Sequence, residues 1–451
     1  MDRYTDNPFT SVSSNGQEEP SQKSPHKAPP LAALACRFSL QAPVFCAGAA
    51  GCALVIVAAL RLAEDRYTEL FHIYYQPLLV LLAMLWLWGA NVRFFEARRV
   101  RYGVCFSPHD QAFLLSGRQI HQAAALLTAA LLSSGALFAY HCARGQLALA
   151  ALHPVALYSA LLLLLMLPVN LLFRDARMFF AQTLFRVATP VREVSWADFL
   201  LADVLTSLSK ALSDLERATC HLLAGPIMAP HGVGQMCGSS SWILPLGLAL
   251  PYAWRLAQCL RVYRDTGARL QLFNALKYST AFPVILFSAL KYQVTPAAWA
   301  GVYKPLWLAA ALLNSGYSYF WDLERDWDIQ AFTGPPSGER CCGLRAPALK
   351  SELLFGRPVY YYLMASNLLL RLSWTYKLSP HLRHNFDTVL AFTLLEAFRR
   401  FQWVPVRVEV ELRKLQHARP ELGQLIPPPA AGGEEAGQKL LAKSSEHSME
   451  P

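Results

Sequence analysis

Two aspartates at the end of an apolar segment are the most distinctive polar feature of this chain. The segment NSGYSYFWDLERDWD places Asp322 and Asp326 four residues apart, a spacing that puts both carboxylates on one face of a helix. Further charges interrupt two later apolar segments, with Arg371 in one and Arg399 and Arg400 in the other. A charge at membrane depth costs roughly 2.5–3.5 kcal/mol on insertion scales, so such residues usually face a partner or a transport path. The pattern therefore indicates a carrier or channel for a charged solute.

Arginines tempered by carboxylates are typical of a site that binds an oxyanion and releases it again. The guanidinium presents a fork of N–H donors that matches phosphate or sulfate in a bidentate manner. A conducting site must also let its ion leave, and nearby carboxylates compete for the arginines when it does. A carboxylate also accepts a hydrogen bond from a protonated phosphate, whereas chloride has no proton to donate. We therefore expect selection of phosphate over chloride.

The composition indicates a membrane protein. Of the 451 residues, 54% are hydrophobic and 16% are charged, whereas soluble proteins carry about 25% charged residues. The basic residues behind the net charge of +10 flank apolar segments, and no basic patch with interleaved aromatic residues is present, which excludes a nucleic-acid partner. The ten cysteines are scattered, and we expect small hydrophobic residues or, at Cys341 and Cys342, free loop thiols rather than metal ligands. No cofactor is implied.

Ten apolar segments are long enough to span a bilayer core as helices, which takes about 20 residues. They cover roughly residues 42–62, 73–95, 119–140, 147–173, 195–224, 240–262, 272–291, 298–321, 357–378 and 386–406. Arginine and lysine are concentrated in alternate loops and in the tail, which places both termini in the cytoplasm. The prediction is an all-α polytopic membrane protein of about ten transmembrane helices.

The distribution of charge divides the chain into four parts. We expect residues 1–40 to be a disordered cytoplasmic N-terminus and residues 411–451 to be a mostly disordered cytoplasmic tail. Residues 41–194 hold spans one to four, whose few internal charges suit a lipid-facing or dimer-forming scaffold. Residues 195–410 hold spans five to ten and almost all of the intramembrane polar residues, which suits a conducting core.

Span five carries a row of polar side chains. Asp203, Thr206 and Ser209 or Lys210 fall at helical spacing and line one face of the predicted helix. Hydroxyl groups and a carboxylate on one face suit the wall of a water-filled lumen. The same pattern also fits an amphipathic helix that lies on the membrane surface, and the residues of this span alone do not separate the two interpretations.

Spans six and seven add candidates for an anion site. Arg255 lies deeper in span six than Arg261, although its long side chain is also able to snorkel toward the interface. Lys277 and Tyr278 share a broad face near the start of span seven. Lys277 either supplies a point charge to an anion or anchors the span at the membrane interface.

Arg371 in span nine is the charge that is hardest to explain without a function. It has apolar or small residues on both sides, and Trp374 shares its face and is suited to wall a narrow passage. In span ten, Glu396 is three residues before Arg399 and can pair with it. Arg399 and Arg400 differ by about 100° around the helix, so we expect only one to face a lumen squarely. Alternatively, both arginines mark the cytoplasmic flank of the last span.

Six motifs in this region resemble the EXS family of phosphate exporters. They are, in order, FLLADVLTSLSKALSDLE, LPYAWRLAQCLRVYRDT, FNALKYST, YSYFWDLERDWD, LLLRLSW and LLEAFRRFQW. The resemblance covers about residues 195–410 and implies a path for inorganic phosphate through the last six helices. The phosphate-facing set that it implies is Asp203, Thr206, Ser209, Lys277, Tyr278, Asp322, Asp326, Arg371, Arg399 and Arg400, with Trp374 as a gate. It also implies a homodimer through spans 1–4.

The chain departs from the family pattern at two places. Thr206 stands where the exporters have Asn, which weakens one expected hydrogen bond but keeps a hydroxyl group. Only about 40 polar residues precede the first span, too few for the SPX domain that senses inositol pyrophosphate, so we expect no regulation through that domain. EXS proteins of this type resemble the yeast ER-retention-defective protein of the Golgi. The resemblance thus implies return of phosphate from the Golgi lumen, with the plasma membrane or the ER as alternative locations.

Two other functions are compatible with the sequence. An intramembrane phosphotransferase would use Asp322, Asp326 and Asp328 to hold magnesium, although the glycines and further acids expected around a nucleotide-alcohol substrate are missing. A protein that retains Golgi glycosyltransferases without transport would tolerate neutral replacement of the intramembrane charges. No Walker A motif or phosphorylatable aspartate motif is evident, so we predict neither an ATP-driven pump nor an enzyme.

Overall fold

The structure is a computed structural model of one chain, and helices make up almost all of it. It describes residues 42–224, 227–228, 237–238, 241–329, 332, 340–341, 344–345, 354–379, 382 and 385–426. The predicted disordered N-terminus and residues 427–451 of the predicted tail lie outside the described residues. Two strands of two residues each, Arg340–Cys341 and Leu344–Arg345, pair antiparallel. The predicted all-α polytopic fold is confirmed.

Four apolar helices form the first part of the fold. They are α1 (Ala42–Leu62), α2 (Asp65–Ala97), α3 (Gly117–Ala143) and α4 (Leu147–Met166). Within the described part of the chain, these are the helices that are both long and apolar enough to cross a bilayer by composition alone. They pack around buried aromatic side chains that include Tyr74, Tyr75 and Phe138, whereas Leu54 and Leu62 of α1 are exposed. An exposed apolar face of this kind is suited to contact with lipid or with another chain.

A short helix and a broken helix follow. α5 (Arg174–Ala188) lies before the polar part of the chain and does not correspond to a predicted span. α6 (Trp196–Ser207) and α7 (Ser209–Ala224) together occupy predicted span five and are separated at Leu208. Ten of the twelve residues of α6 are buried among other helices. This burial excludes the alternative in which the segment lies on the membrane surface.

Six further helices complete this part of the fold. They are α8 (Ile243–Thr266), α9 (Leu270–Ser279), α10 (Ala281–Leu290), α11 (Lys304–Trp321), α12 (Arg357–Arg371) and α13 (Phe386–Ala418). α11 continues into a π-helical turn, Asp322–Asp326, and α12 is followed by a 3₁₀ helix, Ser373–Leu378. Shorter turns are Tyr102–Cys105, Pro108–Gln111, Pro296–Ala298, Trp299–Tyr303 and Pro420–Leu422. Each of the ten predicted spans therefore coincides with one helix or with two consecutive helices.

Local sequence signals fix the ends of the helices that carry the polar residues. Ser195 and Asp198 form a capping box at the start of α6, each side chain binding the backbone N–H of the other. Asn385 accepts a hydrogen bond of 2.9 Å from the backbone N–H of Thr388 at the start of α13. Gly267 ends α8 with a φ of +68°, a left-handed conformation that glycine adopts without strain. These caps set where the side chains of α6, α8 and α13 point.

A disulfide joins Cys220, near the end of α7, to Cys237 in the segment that follows. The expectation that the cysteines are small hydrophobic residues or free thiols is therefore wrong for this pair. Among the described cysteines, the free ones are Cys46, Cys52, Cys105, Cys142 and Cys259. Structural disulfides persist in oxidising compartments and are rare in the cytosol. The bond therefore agrees with the predicted topology, in which the loop after span five lies outside the cytoplasm.

An aromatic core closes the bundle at the end where α6 begins. It includes Trp196, Phe199, Trp327 and Trp403, each no more than 7% exposed. We call this end the inner end, and we call the opposite end, where α7 ends and α8 begins, the outer end. The core packs α6 against α13 and the π-helical turn, so the polar residues one or two turns further along these elements have a rigid base.

Candidate functional site

A polar cavity of about 170 Å³ lies among α6, α8, α9, α11, α12 and α13. Four cationic side chains line it, Lys277, Arg371, Arg399 and Arg400, together with the carboxylate of Glu396. The other lining residues are Thr206, Tyr252, Tyr278, Asn314, Ser315, Ser318, Leu370, Ser373 and Trp374. The volume is several times the roughly 30 Å³ that one water molecule occupies in the liquid. The cavity therefore has room for a tetrahedral oxyanion.

The carboxylate of Asp203 binds two arginines behind the cavity wall. Its Oδ2 accepts a hydrogen bond of 2.5 Å from Arg400 Nη1, and its Oδ1 accepts one of 3.2 Å from Arg255 Nε. The hydroxyl of Tyr278 donates to the same Oδ1. Each of these four residues is at most 5% exposed. Two cations share one carboxylate here, so a net positive charge faces the cavity through Arg400.

The carboxylate of Asp322 holds a second pair of arginines. Its Oδ2 accepts hydrogen bonds from Arg371 Nη2 at 2.5 Å, Arg371 Nε at 2.9 Å and Asn367 Nδ2 at 2.9 Å. Arg399 Nη1 lies 3.7 Å from the same oxygen. The predicted pair between Glu396 and Arg399 is confirmed, with 2.5 Å between Glu396 Oε1 and Arg399 Nη2. The side chain of Arg371 is directed into the protein, as it must be to bind an anion in the cavity.

Ser207 links the two clusters. Its hydroxyl accepts a hydrogen bond of 3.2 Å from Arg399 Nη2 and one of 3.0 Å from Arg400 Nε. The expectation that only one of these arginines faces the lumen is therefore wrong, because both side chains bend toward the same hydroxyl and both line the cavity. Lys277 Nζ lies 3.8 Å from Asp326 Oδ2, and Lys277 is 7% exposed. This burial excludes the alternative that Lys277 anchors the span at the membrane interface.

Trp374 closes part of the cavity at the outer end. Its indole N–H donates a hydrogen bond of 2.9 Å to Ser315 Oγ on α11, and its ring meets the ring of Trp307 edge to face at 5.4 Å. Ser315 Oγ in turn lies 3.3 Å from the backbone carbonyl oxygen of Arg371. One hydroxyl thus connects the arginine and the indole that follows it by three residues. Rotation of the indole away from Ser315 would widen the cavity at this end.

The structure brings most of the predicted site residues together. Seven of them line the cavity: Thr206, Lys277, Tyr278, Arg371, Trp374, Arg399 and Arg400. Asp203, Asp322 and Asp326 lie directly behind the lining cations as their counterions. Ser209 differs, because the helix breaks at Leu208 and Ser209 begins the next helix without lining the cavity.

Several residues of the site were not in the predicted set. Arg255 is the most important, because it pairs with Asp203 and stacks on the rings of Phe199 and Tyr278 at 4.7 and 4.8 Å. Its position in the middle of α8, two turns before Arg261, was the available signal. Ser207 and Asn367 were missed because hydroxyl and amide side chains are common in membrane helices and carry no charge that marks them.

A separate group of ion pairs continues along α13 toward the inner end. Arg407 Nη1 lies 3.1 Å from Glu411 Oε2, and Arg413 Nη2 lies 3.5 Å from Glu409 Oε1. The hydroxyl of Tyr360 donates to Glu409, which is fully buried. Burial raises the pKa of this carboxyl above its ordinary value. These ion pairs lie on the part of α13 that runs twelve residues past the predicted end of span ten at residue 406, so residues 411–418 of the predicted tail are helical. The hydrogen bond from Tyr360 ties this part of α13 to α12.

The cavity is suited to bind an anion reversibly. Each lining arginine already has a carboxylate partner, so an oxyanion competes with that partner instead of meeting an unpaired charge. Truncating one member of a buried pair usually costs about 3–5 kcal/mol, because it leaves the other charge uncompensated. An anion that replaces a carboxylate on an arginine keeps that guanidinium group compensated. Its entry therefore avoids the cost of an uncompensated buried charge. An oxyanion that entered the cavity would therefore exchange with the carboxylates on the same guanidinium donors.

Comparison with known proteins identifies the family. The EXS family model matches residues 70–412, well over half of the chain. This chain belongs to the EXS family. The match begins before the motif-bearing region at residues 195–410 and takes in most of α2 and all of α3 and α4. The EXS region therefore includes helices that carry few charges as well as the polar part of the fold.

Curated relatives share this region at moderate identity. The chain is 32% identical over 343 residues to SPX and EXS domain-containing protein 1 of Dictyostelium discoideum, covering 72% of this chain and 35% of that protein. It is 33% identical over 277 residues to the xenotropic and polytropic retrovirus receptor 1 homolog of Danio rerio, covering 58% and 38%. It is 30% identical over 385 residues to solute carrier family 53 member 1 of Cricetulus griseus, covering 79% and 52%. The matched region is about a third to a half of each relative.

Proposed function

We propose that this protein transports inorganic phosphate through the cavity formed by α6 to α13. The observation that carries the proposal is the set of four cationic side chains around one polar cavity, each with a carboxylate behind or beside it. Arginine forks bind phosphate oxygens in a bidentate manner, and Lys277 adds a point charge. Membership of the EXS family and the likeness to a solute carrier support transport as the function.

The acids of the site favour a protonated oxyanion over a simple halide. Glu396 lines the cavity, and Asp322 lies behind Arg371 and Arg399. When phosphate displaces a carboxylate from an arginine, that carboxylate can accept the proton of the phosphate O–H. Chloride offers no such proton, so it would leave the freed carboxylate without a donor. Selection of phosphate over chloride follows from this difference in hydrogen bonding.

The same acids do not support an intramembrane phosphotransferase. Magnesium binding at Asp322 and Asp326 would need carboxylate oxygens that are free to act as ligands. Asp322 instead accepts three hydrogen bonds from Arg371 and Asn367, and Asp326 pairs with Lys277. The solute-carrier relative is named for transport, which also favours a transporter over an enzyme. A retention protein without transport has no need of a cavity lined with cations.

We place the protein in the Golgi membrane as a homodimer, with both termini in the cytoplasm, returning phosphate from the lumen. The alternation of basic loops supports this orientation, and the Cys220–Cys237 disulfide on the predicted lumenal side agrees with it. The exposed apolar side of α1, where Leu54 is 71% and Leu62 is 81% exposed, supports contact with lipid or a partner copy through spans 1–4. A scaffold at residues 41–194 and a conducting core at residues 195–410 complete the proposed organisation.

Flux of radiolabelled phosphate in proteoliposomes tests the proposal. We expect saturable flux with the wild-type protein and a loss of at least tenfold with Arg371→Ala. A matched control is Arg261→Ala, which removes an arginine from the exposed pair with Asp265 and should keep at least half of the flux. Equal flux for wild type and Arg371→Ala would remove the assigned path. Product formation that requires magnesium, without flux, would favour the phosphotransferase instead.

A further inference from the structure

Two lysines extend the line of polar residues beyond the cavity at the outer end. Lys210 lies on the first turn of α7, four residues after the cavity-lining Thr206. Lys377 lies on the 3₁₀ helix, three residues after the cavity-lining Trp374. In a 3₁₀ helix, side chains three residues apart are eclipsed, so Lys377 stands directly over Trp374. Both lysines therefore lie about one turn outside the cavity, on two different walls.

One of the two ammonium groups pairs with a carboxylate. Lys210 Nζ contacts Asp214 Oδ1, and the Lys210 and Asp214 side chains are 41% and 21% exposed. Lys377 is exposed, interacts electrostatically with Lys210 and forms no ion pair with any residue that the structure describes. The neighbouring Tyr376 stacks on Phe392 of α13 at 4.4 Å, which fixes the turn that carries Lys377. The group thus has two positive charges and one negative charge, and Lys377 is its most exposed member.

Like charges that are held close together disfavour each other unless an anion lies between them. Asp214 compensates Lys210, whereas Lys377 Nζ lies 6.0 Å from the centre of the Tyr376 ring and has no carboxylate partner among the residues that the structure describes. Lysine is also suited to a transient contact, because its ammonium group is strongly hydrated and sits on a flexible chain. The arginines of the cavity differ, since buried carboxylates hold their guanidinium groups in fixed positions. The lysines fit a loose first contact, and the arginines fit the binding that follows.

We propose that Lys210 and Lys377 form an outer oxyanion site that takes up free phosphate and passes it to the cavity beyond Trp374. This inference rests on the proposed function and deepens it, because it names the residues that collect phosphate on the non-cytoplasmic side. A positive group at the mouth of a path raises the local concentration of an anionic substrate, and the effect weakens as salt screens it. The phosphate of an anionic lipid headgroup has the same chemistry, and the test separates the two sources.

The test compares the double variant Lys210→Gln/Lys377→Gln with wild type in vesicles of phosphatidylcholine. Orientation is determined by the accessibility of a C-terminal affinity tag, and radiolabelled phosphate is applied to the non-cytoplasmic side. We expect the half-saturating phosphate concentration to rise by roughly tenfold while the maximal flux stays within twofold of wild type. Raising the salt concentration should weaken apparent affinity in the wild type much more than in the variant. The retained maximal flux shows that the variant is folded.

A control variant that loses the same two positive charges at other positions separates a local site from a general effect of charge. Lys291 and Lys304 lie near the predicted outer ends of spans seven and eight, and neither lines the cavity. The variant Lys291→Gln/Lys304→Gln should leave the half-saturating concentration within twofold of wild type. If both double variants shift it equally, the lysines contribute only to the overall surface charge, and the outer site is refuted.

The remaining outcomes are distinguishable from one another. If wild type transports phosphate and Lys210→Gln/Lys377→Gln has the same half-saturating concentration, the outer site is refuted while the transport function stands. If the two proteins differ only when phosphatidylserine is added to the vesicles, the lysines bind lipid headgroups, and the inference is refuted. If the wild type itself shows no phosphate flux, the proposed function fails, and this inference fails with it.

Discussion

Neutralising Asp322 and Arg371 together should restore stability without restoring transport. Asp322→Asn leaves Arg371 and Arg399 beside a neutral amide, so two buried guanidinium groups lose their shared counterion. Arg371→Gln leaves Asp322 with the more distant Arg399, at 3.7 Å, and with Asn367. Each single variant therefore destabilises the fold. The double variant replaces a charged pair with two amides that can hydrogen-bond each other, which removes most of the imbalance.

The size of the effect follows from the geometry. Two unit charges about 4 Å apart interact by roughly 4 kcal/mol at an effective dielectric constant of 20. Arg371 Nη2 and Nε lie 2.5 and 2.9 Å from the same carboxylate oxygen, so the separation of the charge centres is of this order. Removing one partner of a buried pair costs about 3–5 kcal/mol, and contacting residues show coupling energies of up to about 3 kcal/mol. Each single variant here leaves other partners in place, because Asp322 keeps Arg399 and Arg399 keeps Glu396, so we expect a cost of about 2 kcal/mol for each. With a double variant close to wild type, the coupling energy of this pair is then about 3 kcal/mol.

A double-mutant cycle on detergent-purified protein measures this coupling through the free energy of unfolding. Radiolabelled phosphate flux is measured on the same four proteins. A parallel cycle on the exposed pair Arg261 and Asp265, whose side chains are 20% and 28% exposed, serves as the control. Exposed pairs at this spacing contribute about 0.3–0.5 kcal/mol. The double variant Asp322→Asn/Arg371→Gln should be within about 1 kcal/mol of wild type in stability, with flux reduced at least tenfold.

Recovery of both stability and phosphate flux in the double variant would refute a role of Arg371 in binding the anion. If the double variant transports as well as wild type, Arg371 serves only as a structural partner of Asp322 and does not bind the anion. If the coupling energy is no larger than that of the Arg261–Asp265 control, the pair is solvated, and the buried cluster described above does not exist in solution.

Four further outcomes are expected. Asp203→Asn leaves Arg255 and Arg400 without their shared counterion, so the free energy of unfolding should fall by about 3–5 kcal/mol, whereas equal thermal melting of variant and wild type would contradict the assignment. Trp374→Phe loses the hydrogen bond to Ser315, worth about 1 kcal/mol, so the initial rate of phosphate flux should rise roughly fivefold, and an unchanged rate would argue against a gate. Joint replacement of Cys220 and Cys237 by serine removes a link across 17 residues and should lower the stability by about 3 kcal/mol; a reductant should lower the melting temperature of wild type but not of this variant. Sulfate should compete with phosphate flux at least tenfold more strongly than chloride at equal ionic strength, and equal inhibition would show that the site reads only charge.

Much of the site could be predicted because charges inside a membrane protein are costly and therefore few. Asp203, Lys277, Asp322 and Arg371 stand out in apolar segments, and all of them meet in or behind one cavity. Helical spacing also gave the Glu396–Arg399 pair, since both residues belong to one helix. Spacing within a helix fixes which residues share a face, but it cannot say which face of another helix they meet. The pairing of Asp203 with Arg255 and Arg400 joins three helices and needs the packed fold.

The predictions that were wrong have local physical causes. The break at Leu208 and the π-helical turn at Asp322–Asp326 change the direction of side chains that a regular helix would align, and neither is marked by proline or glycine. Ser209 consequently does not line the cavity, although Thr206, three residues earlier, does. The long flexible side chains of Arg399 and Arg400 converge on Ser207 although their Cα positions point about 100° apart. The Cys220–Cys237 bond was missed because spacing alone does not determine which cysteines pair.

Equilibrium binding of radiolabelled phosphate to the purified protein tests the central claim most directly. The claim is that Arg371, Arg399 and Lys277 bind an oxyanion within the cavity of about 170 Å³. We predict one high-affinity saturable site per chain in the wild type, tighter than the loose outer contact at Lys210 and Lys377. Binding at this site should be at least tenfold weaker in the stability-matched variant Asp322→Asn/Arg371→Gln, while the Arg261→Gln control binds as wild type. Equal phosphate affinity in all three proteins would contradict the account.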